Sequence, residues 1–420
     1  MANKTISVFM RSIVYAVGLL GAIYAPTAAS NIKVEAMLEG GYVNASYDKS
    51  WLNSWMEGGV GVLRFNRDDR FKVTQGIMQV SADVLADISF DAVAAYYPDG
   101  DSHLGFTEAY LTYAPLSAGL KHQVRVGMFY PKMSLENVDI GWTSPFTYSF
   151  SAINSWIAEE LRTVGAEWSI TRSGRAHHSP HSFTAVASLY RANDPVGTLL
   201  SWRGWALHNR QTTLNENVYF ADYFQFQNRP VVFPDYLKPI EETDGRWGYY
   251  LGVQWRYLKS TDVRAYYYDN NADPLSIETN MQYGWDTRFT SVAIQHKFTS
   301  SFRVLAQWLD GVTYMGDINN GTFAEYNSWY LLGSYKWQNH RFSLRYDHFD
   351  VTDIDNNPMD PNDSNGHSIT AAWRHNLNKH WNVGAEWLMV DSDNENRTLW
   401  PKWTAKNKQK QLMLLLQYRL

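Results

Sequence analysis

From Trp247 to Leu420 the chain repeats one pattern: a segment of alternating apolar and polar side chains, a short turn, a second such segment, then a longer acidic stretch. Successive side chains on a strand point to opposite faces, so each segment carries one apolar row and one free row. In 247–258 the apolar row is Trp247, Tyr249, Leu251, Val253, Trp255 and Tyr257, against Gly248, Gly252, Gln254 and Arg256. Phe342, Leu344 and Tyr346 alternate likewise with Arg341, Ser343, Arg345 and Asp347. Trp381, Val383, Ala385, Trp387 and Met389 alternate with Asn382, Gly384 and Glu386. No soluble core buries so many alternating aromatics on consecutive hairpins. The pattern predicts an all-β fold, a transmembrane antiparallel β-barrel with short periplasmic turns and long extracellular loops.

The short turns are Lys259 to Thr261, Thr299 to Ser301, Asn339-His340 and Asn378 to His380; the long acidic loops are 270–285, 311–326, 350–365 and 392–408. Counting back from Leu420 gives strands at 409–420, 381–391, 366–376, 341–349, 327–338, 302–310, 286–298, 261–269 and 247–258. It continues through 181–190, 161–171, 121–130, 104–113, 88–97, 71–84 and 54–65. That makes about 16, an even number as bacterial barrels require. Residues 31–44 also alternate, so 31–53 is an N-terminal extension or an extra strand, and the barrel is assigned to 54–420. Leu412, Leu414, Leu416, Tyr418 and Leu420 form a terminal apolar row, which resembles the C-terminal assembly signal of outer-membrane barrels. That signal usually ends in Phe, and Leu420 departs from it.

Residues 1–30 read as a cleaved secretion signal: Lys4 and Arg11 precede or open an apolar stretch from Ile13 to Ile23, and Ala28, Ala29 and Ser30 are small. The stretch is short of the ~20 residues a spanning helix needs. No later run is long enough, and mean hydropathy is -0.39. Aromatic residues make 15% of the chain, more than a core needs, which fits the two aromatic girdles of a barrel. Cysteine is absent, so strand pairing and packing must supply stability. A formal charge of -5 argues against a nucleic-acid partner.

Two connections, 131–160 and 191–246, are too long for ordinary loops. A barrel of this size has a water-filled lumen unless something folds into it, and these segments are the candidates. Trp142, Phe146, Tyr148 and Phe150 are too apolar for a solvated loop. The first connection begins with Val124-Arg125-Val126-Gly127-Met128-Phe129-Tyr130-Pro131-Lys132, followed by Ser134-Leu135-Glu136. This passage resembles the strand-into-constriction-loop of the phosphate-selective porins. The resemblance implies a Gram-negative outer-membrane location, a 16-stranded trimeric pore and a cationic constriction. The family's phosphate-binding residues cannot be placed on this sequence, so phosphate selectivity does not follow.

The expectation is a passive outer-membrane channel for small hydrophilic solutes, favouring anions, in contact with outer-membrane lipids and without cofactor, metal or enzymatic activity. By the alternation, Arg125, Arg256, Arg264, Arg303, Lys336, Arg341, Arg345 and Arg374 face inward, against Glu108, Glu167, Asp347 and Glu386. Arginine keeps its charge and grips oxyanions bidentately, so such a wall favours anions. The plainer reading is that these cations oppose acids across the lumen or simply solvate the wall. In the long connections, Glu159, Glu160, Arg162, Arg203 and Arg210 are constriction candidates, with Glu159 and Glu160 expected to approach Arg125. His208 and Lys238 lie near Trp202, Trp205 and Tyr219, a mix suited to a polar or sugar-like solute. His177, His178 and His181 could bind metal, but their Ser/Gly/Pro surroundings read as an ordinary turn. Two other classes remain: a barrel lipase or protease, for which Asp347, His348 and Asp350 are the nearest constellation, and a structural or adhesin barrel plugged by its loops.

Overall fold

The computed structural model describes residues 31–67, 69–221, 234–317, 321–355 and 360–420; the signal segment 1–30 lies outside them. In chain order the strands are β1 (Ile32–Tyr47), β2 (Asp69–Leu85), β3 (Ile88–Tyr96), β4 (Leu104–Tyr113), β5 (Leu120–Phe129), β6 (Thr163–Arg172) and β7 (His181–Arg191). A two-residue ribbon follows, β8 (Val218–Tyr219) with β9 (Tyr236–Leu237). Then come β10 (Gly248–Tyr257), β11 (Thr261–Asp269), β12 (Asp286–Lys297), β13 (Phe302–Met315), β14 (Thr322–Trp337), β15 (His340–Asp353), β16 (Ser364–Asn376), β17 (Trp381–Asn394) and β18 (Lys406–Arg419). All except β8 and β9 pair with their sequence neighbours in one closed antiparallel barrel of 16 strands, sealed by β18 on β1. The turns at 258–260 and 338–339 each join a descending to an ascending strand and so share a rim.

The N-terminal boundary differs from the sequence reading. Residues 32–47 are a full barrel strand, whereas 54–65 are not a strand at all; they lie in an infolded loop with a single 3-10 turn, Trp55–Glu57. Gly58 explains the error: its φ of 72° ends that turn in a left-handed conformation no strand can carry. The C-terminal strands also run further than read. β13 reaches Met315, β14 starts at Thr322, and β15 to β18 extend to or start at Asp353, Ser364, Asn394 and Lys406. Their outer ends stand above the membrane, where apolar alternation is no longer required.

Outward rows are exposed as expected: Trp247 52%, Leu251 53%, Leu344 60% and Trp387 38%. Trp255 is partly covered because its Nε1 donates to His181 Nδ1 (3.1 Å). Exposed Trp308 and Trp329 mark one girdle; Trp337, Trp381 and Tyr418 mark the other. Eight residues separate Trp329 from Trp337 along β14. At about 3.3 Å per residue and a tilt near 40°, that is roughly 20 Å of hydrocarbon. The aromatic excess has a second use that composition did not reveal. Tyr190, Tyr250, Tyr266, Tyr268, Tyr326 and Tyr330 face inward and are buried, packed with loop side chains in one apolar cluster inside the barrel.

Candidate functional site

The segment 131–160 leaves the top of β5 and enters the lumen, where almost all of it is buried. It ends in helix α1 (Ala152–Glu160), N-capped by Ser151, whose hydroxyl accepts from Asn154 N (3.2 Å), and every residue of α1 is buried. The helix lies against β13, β14 and β15. Trp156 meets Phe289 and Tyr326 of the wall, at centroid distances of 5.3 and 5.4 Å. Tyr148 lies flat on the wall because residue 384 is glycine; a Cβ there would come within 2.1 Å of the Tyr148 hydroxyl. Trp142 stacks on Tyr130 at 4.3 Å.

Wall side chains hold the loop by its backbone. Arg345 binds Glu136 Oε1 (2.7 Å) and Asp347 (2.8 Å), and donates to the carbonyls of Ser149 and Phe150 (both 2.8 Å). Arg374 donates to Ser144 O (2.6 Å) and Gln417 Oε1 (2.8 Å). Arg264 donates to the carbonyls of Ser134 (2.8 Å) and Lys132 (3.1 Å). Glu386 accepts from Tyr148 N (2.6 Å) and Ser149 N (2.9 Å), Asp347 from Ala152 N (3.1 Å), and Glu108 from Tyr130 N (3.0 Å). A charged hydrogen bond is roughly twice as strong as a neutral one, so these contacts fix the loop in one place.

Two further loops complete the filling. Part of the second long connection, with helix α2 (Thr198–Arg203), lies inside the barrel, and Arg203 pairs with Glu159 of α1 (2.6 Å). Loop 48–67 joins it: Leu207 N donates to Val62 O (2.9 Å), and Arg64 binds Asp99 (2.7 Å) and Asn209 (2.7 Å). Arg210 pairs with Glu216. Arg162 lies 3.7 Å over the Tyr130 ring and donates to Thr212 O (2.7 Å).

Several expected contacts are therefore different. Glu159 and Glu160 do not approach Arg125, which pairs with Glu167 on the adjacent strand (2.8 Å) because the two occupy directly paired positions. Arg264 and Arg345 hold the loop instead of lining open water, while Arg374 both holds the loop and borders the turn-side cavity. Arg256 sits exposed at the turn-side mouth and pairs with Asp262 (3.1 Å). His177 bonds within its own turn, to Ser173 O (2.9 Å), while His181 sits on the outer face beside Trp255, so the three histidines do not converge. Asp347 points inward and His348 outward, which leaves that constellation without a shared face. Sequence reasoning passed over Arg64 and Glu136 as site residues, the latter because inward loop residues show no periodic signal.

One charged zone has no such pairing. Lys336, Arg341 and Arg374 occupy directly opposed positions on β14, β15 and β16. Like charges directly opposed destabilise a sheet. Arg303, Lys336 and Arg341 have no carboxylate partner among the described residues; Arg303 and Arg341 instead flank the Phe146 ring at 5.7 and 5.2 Å. Lys336, Arg341, Arg374 and Arg419 line a cavity of about 290 Å³ at the turn-side mouth, with Asp139, bound to Arg419 (2.7 Å), as its acid.

Titration of the filling is opposed in sign at two neighbours. Burial raises Glu159, but adjacent Arg203 and His208 overcome it and hold the carboxyl at about 2. Burial, helped by Glu159, pushes Glu160 up to about 8 against hydrogen bonds from Leu199 N and Trp156 Nε1. Glu160 thus binds its proton more tightly inside the filling than in a released loop. That contribution is complete at low pH and is lost as pH rises through 8. Protease access to 131–160 is expected to increase between pH 6 and pH 9, and Glu160→Gln to flatten the profile. An equally steep profile in that variant would place the titration elsewhere.

A closed 16-stranded barrel with an apolar outer belt between aromatic girdles is an outer-membrane barrel, and its architecture is the porin fold of Gram-negative bacteria. The structure is similar to the outer-membrane channel DcaP of Acinetobacter baumannii: TM-score 0.56, 10% identity, covering 94% of this chain and 99% of that one. It is similar to an anion-selective porin from Comamonas acidovorans, with TM-score 0.53, 12% identity and coverage of 93% and 100%. For the trimer form of Vibrio cholerae OmpT the values are 0.52, 9%, 94% and 100%. No protein-family model and no curated protein matches the sequence.

Proposed function

We propose that the protein is a narrow outer-membrane channel, not an enzyme, that passes small hydrophilic solutes and favours anions. The observation that carries this reading is the opposed pair Lys336 and Arg341, which line the turn-side cavity and have no carboxylate partner among the described residues. Elsewhere inside the barrel cations such as Arg125, Arg203, Arg210 and Arg345 meet acids. Uncompensated positive charge between low-dielectric walls raises the local anion concentration. DcaP and the Comamonas porin put the same fold to use as a channel.

The protein assembles, on this reading, as a homotrimer. β3, β4 and β5 span only 9 or 10 residues, and Ala92, Ala94 and Ala109 face outward there. No tryptophan occurs between Trp55 and Trp142, so this side lacks the indoles that mark a lipid boundary and suits a neighbouring copy.

Planar-bilayer recording tests both points. A potassium chloride gradient is expected to give a reversal potential of anion-selective sign, and insertions are expected in triplets of equal steps. The plugged structural barrel has its own support, the apolar cluster that fills the lumen. Barrels that insert fully and pass no current would favour it.

A further inference from the structure

We propose that the outer face of β13 to β18 is a binding site for one acyl chain of an anionic outer-leaflet lipid, whose phosphate is held by Lys410. The outer surface there is not flat. A groove of about 630 Å³ crosses it from Phe302 on β13 to Leu412 on β18, and its lining is almost wholly apolar. Its floor is made by small residues, Gly333, Ala371 and Ala385, and Trp387 stands at its edge. A Cβ added to Gly333 would meet only Phe302, at 3.8 Å, so the slot is open at its centre. A chain crossing six strands at about 4.8 Å per spacing travels roughly 24 Å, the length scale of a lipid tail and far narrower than the face of another barrel.

Depth and charge identify the occupant. Eight residues separate Lys410 from Tyr418 along β18, the same interval that separates the two girdle tryptophans on β14. Lys410 therefore stands at the outer interface, with Leu412, Leu414 and Leu416 below it in hydrocarbon. Lys406 and Lys408 extend the same row upward and pair with Asp393 (3.6 Å) and Asp391 (3.0 Å). Lys410 faces Met389 and Ser46 across its two neighbouring strands and has no carboxylate partner among the described residues. The other end of the groove, at Phe302, adjoins Thr299, Ser300 and Ser301, which carry no charge. A tail that enters at Leu412 thus brings its headgroup to a cation only at the outer surface.

Native mass spectrometry of the full-length barrel in mild detergent, with phosphatidylglycerol and phosphatidylcholine of equal chain length as probes, tests the site. Wild-type protein is expected to retain the anionic lipid about fivefold better, the effect of one lysine beside an anionic headgroup. Lys410→Gln should abolish that preference while leaving weak binding of both lipids, and Ala371→Phe should remove both adducts by filling the slot. Resistance to unfolding in unheated detergent verifies that each variant is a closed barrel. Equal retention of the two lipids by wild type, a preference that survives in Lys410→Gln, or adducts undiminished in Ala371→Phe would overturn the proposal.

Discussion

Replacing Lys336 and Arg341 together with glutamate is expected to invert the anion preference proposed above to a preference for cations. Both side chains line the turn-side cavity, in directly opposed positions on β14 and β15, and neither is committed to a carboxylate among the described residues. Two reversals change the cavity by four charges. Because a charged cleft concentrates counter-ions by about tenfold or more, the anion-to-cation permeability ratio should fall by at least that factor and invert. Neither residue holds the loop backbone, so the conducting cross-section should change little. Reversal potentials in a salt gradient measure the ratio directly. A double variant that keeps the wild-type ratio would move the selectivity determinant to the extracellular mouth.

The second large effect is expected from Arg345→Met, which keeps a long side chain and removes the charge. Arg345 is fully buried between Glu136 and Asp347, and removing one member of a buried ion pair costs about 3–5 kcal/mol. The barrel wall has its own strand pairing, so the cost falls on the docked loop. Conductance should rise several-fold with added open-channel noise, and proteases should gain access to 131–160. Asp347→Asn, which retains an acceptor for Ala152 N, should have the smaller effect. Unchanged conductance in a correctly assembled Arg345→Met barrel would show that Arg264, Arg374 and Glu386 suffice to hold the loop.

The wall was legible in the sequence because it obeys a period. Every inward cation read from alternation, from Arg125 to Arg374, lies on the inner face of the barrel. What alternation could not supply was the partner of each one. Arg345 meets Glu136 across 209 positions of sequence, and no local pattern encodes that distance. The same limit explains why Arg125 was matched to the wrong acids while its true partner, Glu167, lay on the next strand. At the N-terminus, 54–65 and 31–44 both alternate in composition, and only the backbone demand of Gly58 separates a loop from a strand. The inward tyrosines were hidden for a different reason. Composition counts aromatics without saying which face they take, so a packed interior and two membrane girdles draw on the same total.

The docking of 131–160 onto β15, β16 and β17 also bears on the order of assembly. The loop emerges early in the chain, yet its anchors Arg345, Arg374 and Glu386 come some two hundred residues later. Contacts this remote are slow to form, since the intervening chain must first be ordered. The seam that closes the barrel, β18 on β1, joins residues more remote still, so the loop gains its anchors only once β15 to β17 are in place. In a chain cut short of β15, Glu136 lacks Arg345 and the backbone of residues 144–152 lacks its wall partners. Such a chain should expose 131–160 to proteases that the complete barrel keeps out.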